Sequence, residues 1–584
     1  MRSLANPSLV RHRNRWELPG ISEEAIRQVQ SELNVSAAMA RLLAFKAGKG
    51  TPRSLLSHDI SDLNSPLQLL GVEEAIARME LAIRQSEPIF IHGDFDVDGI
   101  TSSALLYRAL KDLGAKGQIK VEIEDRDRGH GLNEEVIKQI IDEGFSLVIT
   151  TDCGVSDHQH IQTLLNHKID AIITDHHHVP EQLPPAVAVI NPKRPDCVYP
   201  NSDLAAVGVI YQTVSALYER MGRQSDEVRG FLDLVMLGTL GDLVPLVNEK
   251  SVENRIFVQS GLKMLADGWG CMGLRVLLEK LSLDPTQLTA GEMSFVVIPK
   301  LNAANRVGDP RVSFLLLTTS DREKADHLAE TLLQYNYDRQ VAQEDLREQA
   351  EERLREEVNL KEEKIIILAG RYWNPGVIGL VASDLADRYH RPAIMIAKGD
   401  EMARASGRSI QEFNMIESLV QHEHLFERYG GHYMAAGFSI RNDWIARLQS
   451  ELGQYAREKL ANLEAPVFSL EAEIFPHEVS LDLFDEIQRL GPFGVGNREP
   501  RFLLRNVRIE NMRLVGNGGR HLKLMALVNG SSFDAIGFSL GDSLADIRNA
   551  QQVDLVVKLS RDDWNRQPKI QLELIDVLRS NESN

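Results

Sequence analysis

Between residues 71 and 241, short apolar runs rich in Ile and Val alternate with stretches whose apolar side chains recur at helical spacing. The pattern predicts strand 88–92, helix 100–113, strand 119–124, helix 133–143, strand 146–151, helix 157–167 and strand 170–174. Strands followed by helices in this rhythm imply a parallel sheet with right-handed crossovers, which binds ligands at the carboxyl ends of its strands.

Elsewhere the pattern changes. Residues 1–75 read as helical with no clear core of their own, two short amphipathic helices filling 23–47. Residues 322–358 predict one long charged helix with Leu328, Leu332, Tyr335, Ala342, Leu346, Ala350 and Leu354 on a single stripe. We take it as a connecting helix docked along one face and as the hinge between two lobes. A second α/β segment opens with the strand IIILAG, and from 465 to 584 about five alternating runs predict a small β-barrel of OB type. The expected fold class is α/β, in five parts. They are an N-terminal helical basic segment (1–75), a parallel-sheet domain (76–320), the connecting helix (321–362), a second α/β domain (363–462) and the barrel (463–584).

A length of 584 residues exceeds a single core, and 26% charged with 43% hydrophobic residues is ordinary for a globular chain. The opening residues carry no apolar run of signal-peptide length and no later run approaches a membrane span, so a cytoplasmic protein without membrane contact is expected. Cys153, Cys197 and Cys271 have no metal-finger or thioredoxin spacing, and no disulfide is expected. The net charge of −19, taken alone, argues against a polyanionic partner. The charge is uneven, however: residues 1–53 and 501–523 are both basic. Arg11, Arg13 and Arg15 beside Trp16 form either a phosphate grip with a stacking ring or a solvated tail. Arg501, Phe502, Arg513, Arg520, His521 and Lys523 are candidates for a single-strand groove, against a barrel that serves only for packing.

The chemistry gathers at strand ends. After strand 88–92 comes IHGDFDVDG with Asp94, Asp96 and Asp98; LVITTD delivers Asp152; DAIITDHHH delivers Asp175, His176, His177 and His178; and FLDLVMLGTLGD ends near Asp242. Carboxylates so close in sequence stay charged only if cations or donors neutralise them. Each has a plain alternative: an exposed acidic turn, a helix N-cap at Asp152, a hydrogen-bonded histidine pair. Those alternatives leave unexplained why four segments converge on one sheet edge. Carboxylates and imidazoles in this ratio suit a pair of Mn²⁺ or Mg²⁺ ions better than a structural zinc.

The motifs HGDFDVDG, TTDCG, TDHHH and GTLGDLVPL resemble those of the DHH phosphoesterase superfamily, and the order of parts over about residues 50–580 resembles its RecJ exonuclease family. In the pyrophosphatase branch the first ligands follow the spacing His, three residues, Asp, one residue, Asp, which here falls on His92, Asp96 and Asp98. The resemblance then implies Asp152 as a bridge between two metals, His176 and Asp242 as the remaining ligands, and His177 facing the scissile phosphate. Asp94 is left either as a ligand in a shifted arrangement or as a neighbour of one, and Asp175 as the group orienting the histidines. IPKLNAANRVGDP is similar to a family pattern but has Lys300 for an arginine and Asn305 for a glycine; Arg306 remains a phosphate candidate. In EDRDRGHGL, Arg126 or Arg128 would supply a family arginine. ARASGRSI and YGGHYMAAGFSI resemble phosphate-holding loops of the DHH-associated domain, which implicates Ser406, Arg408, Gly431 and His432. Asn374 stands where the family usually has histidine.

The resemblance implies an exonuclease that degrades single-stranded DNA from the 5′ end in repair and recombination. Two cations would bind the scissile phosphate and activate water, in a passage too narrow for duplex. A monomer is expected, with a helicase or single-strand-binding protein as candidate partners. Two other readings stand beside it: a phosphodiesterase for oligonucleotides or cyclic dinucleotides, and a catalytically inactive relative that binds DNA in replication.

Overall fold

The strand that precedes the acidic turn lies in the middle of a five-stranded sheet. In the computed structural model, which describes residues 15–46, 55–56, 58–126, 131–516, 519, 521–538, 540–541, 547, 550–562 and 568–580, the strands are β1 (Ile89–Gly93), β2 (Ile119–Ile123), β3 (Leu147–Thr151), β4 (Asp170–Thr174) and β5 (Ala188–Ile190). All are parallel, in the order β2-β1-β3-β4-β5. Every residue of β1 and β3 is buried, the signature of strands covered on both faces. The chain order reverses between β1 and β3, so the crevice at their carboxyl ends is the switch point where such sheets take ligands. The predicted strands and helices hold to within a few residues. The short β5, only three residues long, was not anticipated.

This sheet belongs to the larger of two compact units, residues 16–302, 309–331 and 469–584. The C-terminal barrel is part of it: β11 (Phe502–Val515), β12 (His521–Val528), β13 (Ser531–Gly537), β14 (Val553–Asp562) and β15 (Lys569–Arg579) run β11-β12-β13-β15-β14, and β14 closes back on β11. The N-terminal helices Glu23–Leu33 and Ala37–Lys46 share the barrel's core, with Met39, Leu42 and Leu43 in one cluster with Phe502, Leu504 and Leu555. They are apolar on one face because the barrel is their missing partner. Arg255, 2% exposed, ties the unit together by donating to the carbonyls of Leu55, Arg489 and Gly491 and contacting His58 Nε2.

The second unit comprises 303–308 and 332–468 with Arg15. Its sheet runs β9-β10-β8-β7-β6, with β6 (Ile366–Arg371) and β7 (Ala393–Lys398) parallel and β8 (Met402–Arg408), β9 (Arg428–Gly431) and β10 (Ala435–Arg441) in antiparallel pairs. The charged helix runs Arg322–Glu357, and Leu328, Leu332, Leu346, Ala350 and Leu354 of the predicted stripe are buried.

Three expectations need correction. Residues 298–307 form an α-helix, so Asn305, which stands where the family pattern has glycine, adopts no conformation that favours glycine. The close approach falls instead at Gly376, where a Cβ would sit 2.1 Å from the Arg306 carbonyl oxygen. Ser406–Arg408 and Gly430–Gly431 are strand residues rather than loops. With β8 paired on both sides, its backbone amides serve the ladder, and an anion there meets side chains instead. Phe502 is fully buried in the barrel and offers no stacking face.

Candidate metal centre

Asp94 is the first residue past β1, and Asp96 caps helix Val97–Asp112, its Oδ1 accepting from the amides of Asp98 (2.8 Å) and Gly99 (3.2 Å). Capping fixes the rotamer of Asp96 and turns the chain so that Asp98 points back under the sheet edge. Asp98 is fully buried, and its two oxygens accept from Ala206 N (2.7 Å) and Val207 N (2.9 Å) at the start of helix Ala206–Arg220. Helix Leu232–Gly241 approaches so closely that a Cβ on Gly238 would lie 2.7 Å from Asp98 Oδ1. Asp242 follows as the C-cap of that helix.

Asp152 follows β3 at φ +65°, a strained conformation for a residue with a Cβ. It is therefore no N-cap; the turn aims its carboxylate into the crevice. His176 and His177 follow β4, and Asp175 fixes both. Its Oδ1 accepts from the amides of His176 (2.7 Å) and His177 (2.9 Å) and lies 2.8 Å from His177 Nδ1, while Oδ2 accepts from Val155 N. An ionised acceptor there makes Nδ1 the protonated nitrogen of His177. Burial pushes the Asp175 carboxyl up, but the His177 hydrogen bond and charge and the backbone donors outweigh it, and the group is held well below the usual range.

The result is two adjacent groups of ligand atoms. Asp94, Asp96 and Asp152 lie within 4.8 Å of one another, and so do Asp98, His176 and Asp242. His176 Nε2 sits 3.2 Å from Asp152 Oδ1, 3.6 Å from Asp242 Oδ2 and 3.9 Å from Asp98 Oδ2, which links the two groups through Asp152. His177 joins Asp152 and His176 from the solvent side, its side chain 45% exposed.

His92 does not join this set. It is still inside β1, paired with Glu122 of β2, so its ring sides with Glu124 two residues further along that face. His92 Nε2 is 3.2 Å from Glu124 Oε1, and the group it forms includes Cys153. Asp94, not His92, is the residue grouped with Asp96 and Asp152.

The electrostatics show what these residues need. Burial and then repulsion from Asp242 and Asp96 push the Asp98 carboxyl well up, against the pull of the Val207 and Ala206 amides. Burial and the charges of Asp98, Asp96, Asp94 and Asp242 do the same to Asp152, and burial with Asp96 pushes Asp242 up to about 7 despite Lys193. Burial, His177 and Lys193 push His176 down to about 3, so its ring is neutral at neutral pH. Asp152 Oδ1 and both ring nitrogens of His176 are buried without a hydrogen bond of normal geometry. Carboxylates that repel one another, a neutral imidazole and buried polar atoms without donors fit divalent cations.

Lys193 and Asn191, whose side chain donates to the His177 carbonyl (3.0 Å), are site residues that the sequence reading missed. They sit after β5, and a three-residue strand leaves too little pattern to place NPK at the sheet edge. Arg126 stacks over the Phe95 ring, 5.5 Å from its centroid; Arg128 and Arg520 lie outside the described residues.

In the second unit Arg306 Nη1 donates to the Gly376 carbonyl (2.9 Å), and Arg408 Nη1 donates to Ser406 Oγ (2.9 Å) and the Gly407 carbonyl (2.8 Å). His432 is exposed, next to Gly431 at φ +144°. Asn374 caps helix Pro375–Tyr389 through Gly376 N, so the residue that replaces the family histidine has a structural task. On the barrel Arg513 and Lys523 are cross-strand partners, and like charges held opposite one another favour a bound anion. Trp16 donates its indole N–H to Asp576 (2.9 Å) and is held against the barrel instead of being presented to a base.

A parallel α/β sheet with an Asp-and-His centre at its switch point, joined to a second α/β unit and a closed barrel, is the architecture of a DHH phosphoesterase. Family models match the DHH family N-terminal domain over residues 88–239, the DHHA1 domain over 362–458 and the RecJ OB domain over 470–576. The single-stranded-DNA-specific exonuclease RecJ of Bacillus subtilis is 33% identical over 570 residues, covering 96% of this chain and 70% of its own. That of Dickeya dadantii is 33% identical over 524 residues, covering 86% and 89%. Among solved structures, RecJ of Thermus thermophilus in complex with Mn²⁺ superposes with a TM-score of 0.82 at 29% identity, covering 97% of this chain and 80% of that one. Its Mg²⁺ complex superposes with a TM-score of 0.76 at 28% identity, covering 97% and 78%. The chain belongs to the RecJ family of DHH proteins.

Proposed function

We propose that this chain is a metal-dependent exonuclease that hydrolyses single-stranded DNA from the 5′ end, in DNA repair and recombination. The observation that carries the reading is the pair of adjacent ligand groups at the switch point of the sheet, with Asp152 of the first 3.2 Å from His176 of the second. Asp94, Asp96 and Asp152 would hold one divalent cation, and Asp98, Asp152, His176 and Asp242 the other. Mn²⁺ or Mg²⁺ bound there supplies Lewis acidity at the scissile phosphate and a water of lowered pKa.

The chain's own residues do the rest. Neutral His176 offers a lone pair without first losing a proton. Asp175 keeps His177 oriented with Nδ1 as donor, so Nε2 is the nitrogen that meets a substrate phosphate at the solvent side. Arg126, steadied by the Phe95 ring, adds positive charge beside the acidic turn. In the second unit Arg306, Ser406, Arg408 and His432 beside Gly431 bind phosphates, and Arg513, Lys523 and Arg520 bind the backbone of longer strands. An inactive binding protein would be expected to lose such ligands, and both groups keep theirs. The chain's three cysteines are free, which suits a reducing cytoplasm. A helicase or a single-strand-binding protein is the partner class that a 5′ exonuclease of this kind requires for its substrate.

The test is digestion of 5′- and 3′-labelled single strands with Mn²⁺. Early release of the 5′ label with duplex left intact supports the reading; 3′ release, or no hydrolysis, overturns it.

A further inference from the structure

Only half of one face of the second unit's sheet is covered. Alternation along the strands puts Ile366, Leu368, Ala393, Met395 and Ala397 on a single face, in one core cluster with helix Pro375–Tyr389. Cross-strand register extends the same face to Arg404, Ser406 and Arg408 of β8, to Ala435, Gly437 and Ser439 of β10, and to Arg428 and Gly430 of β9. Here the helix ends: Arg404, Gly437, Arg428 and Gly430 are all exposed. A Cβ on Gly430 would meet nothing within 4 Å, and one on Gly437 only the Ala405 carbonyl oxygen at 3.6 Å.

The open half is a floor of small residues rimmed by cations. Arg404, Ser439 and Arg428 form one row across three strands, and Ser406, Gly437 and Gly430 form the next. Alternate residues on a strand stand about 7 Å apart and strands about 4.8 Å apart. Arg404 therefore lies about 14 Å from Arg408 along β8, and Arg428 about 10 Å further across. Among the described residues of these strands, no carboxylate occupies this face between those arginines, in a chain whose net charge is −19. A surface without large side chains lets a sugar-phosphate backbone lie flat, and arginines at successive steps neutralise successive phosphates.

We propose that this face is a track for the phosphodiester backbone of a single strand, running from Ser406 and Arg408 over Gly437 to Arg404 and Arg428. The track rests on the nuclease reading in that its first phosphate is the one assigned to Ser406 and Arg408; its new content is that Arg404 and Arg428 grip the nucleotides beyond it.

The experiment measures binding of a fluorescent oligothymidylate to the full chain in EDTA, by anisotropy across a salt series. Arg404→Gln and Arg428→Gln are surface changes that should leave the melting temperature in place. Each should flatten the dependence of log K on log salt by about 0.7, the share of one single-strand phosphate. Gly437→Val, which alters no charge and has room within the fold, should raise Kd at every salt concentration. Arg447→Gln, on the helix that covers the opposite face, removes the same charge and should leave the slope where it was. Track variants that bind with undiminished affinity and slope overturn the proposal, as does an Arg447→Gln effect as large as theirs. The two readings fail separately: a chain that binds strands but releases no nucleotide with Mn²⁺ loses the nuclease assignment, while the variants still decide the track.

Discussion

Manganese binding should weaken as the pH falls, with a slope that counts carboxyl protons and no imidazole proton. Without metal, burial and Asp96 push Asp242 up to about 7, and Asp98 and Asp152 stand well above the carboxylate range. A cation must displace whatever protons these groups carry. For Asp242 alone the ionised fraction falls from nearly all at about pH 8 to roughly one in eleven at about pH 6, a tenfold loss of affinity or about 1.4 kcal/mol. Asp98 and Asp152, raised by burial and by their acidic neighbours, add to that dependence in the same direction. His176 adds nothing, because burial, His177 and Lys193 have already pushed it down to about 3.

The same linkage fixes the sign for stability. Asp242, raised above its unfolded pKa, stabilises the metal-free fold at low pH, and that stability is lost as the pH rises from about 4 through 7. The gain in melting temperature on adding Mn²⁺ should therefore be larger at about pH 8 than at about pH 6. Calorimetric titration in two buffers of different ionisation enthalpy counts the protons released, and Asp242→Asn should lower that count by about one near pH 6. A binding constant that does not change with pH, or a proton count unaffected by Asp242→Asn, refutes the reasoning.

Four further outcomes follow from the geometry. Asp152→Asn removes a carboxylate of one ligand group that also lies 3.2 Å from His176 of the other; since loss of a ligand's outer partner costs about 10–100-fold, hydrolysis of labelled strands should fall by more than about 100-fold while anisotropy still reports binding. Gly238→Ala places a Cβ 2.5 Å from Thr101 Oγ1 and 2.7 Å from Asp98 Oδ1, which should cost about 1–3 kcal/mol in denaturant unfolding and weaken Mn²⁺ binding as Asp98 is displaced. Arg255→Met removes the donor to the buried Leu55 carbonyl and to the half-buried carbonyls of Arg489 and Gly491 and should cost about 1–3 kcal/mol, read as a lower urea midpoint. Changing Arg513 and Lys523 together to Gln should flatten the salt dependence of long-strand binding by about 1.4, with single-turnover hydrolysis at saturating strand reduced far less.

The parts of this protein that were legible in its sequence are those whose signal is local. Strands β1 to β4 each carry two or three Ile or Val residues in five, and the Asp and His residues that follow β1, β3 and β4 are close enough in the chain for the strand end to aim them. The N-terminal helices show the opposite case. Their apolar stripe is visible, but its partner, a barrel core built from residues beyond 470, is not encoded nearby, so they read as an appendage when they are part of a shared core. The same reasoning separates His92 from Asp94. Both lie within four residues of Asp96, and spacing alone prefers the histidine. The side of the strand on which each emerges depends on where β1 ends, and β1 continues one residue past His92, to Gly93. A single step in strand length thus turns one candidate toward Glu124 and places the other beside Asp96 and Asp152. Replacing His92 with Asn should accordingly preserve Mn²⁺ affinity, whereas Asp94→Asn should weaken it by about tenfold or more; calorimetry that finds the reverse order would restore the spacing rule and displace the ligand set assigned above.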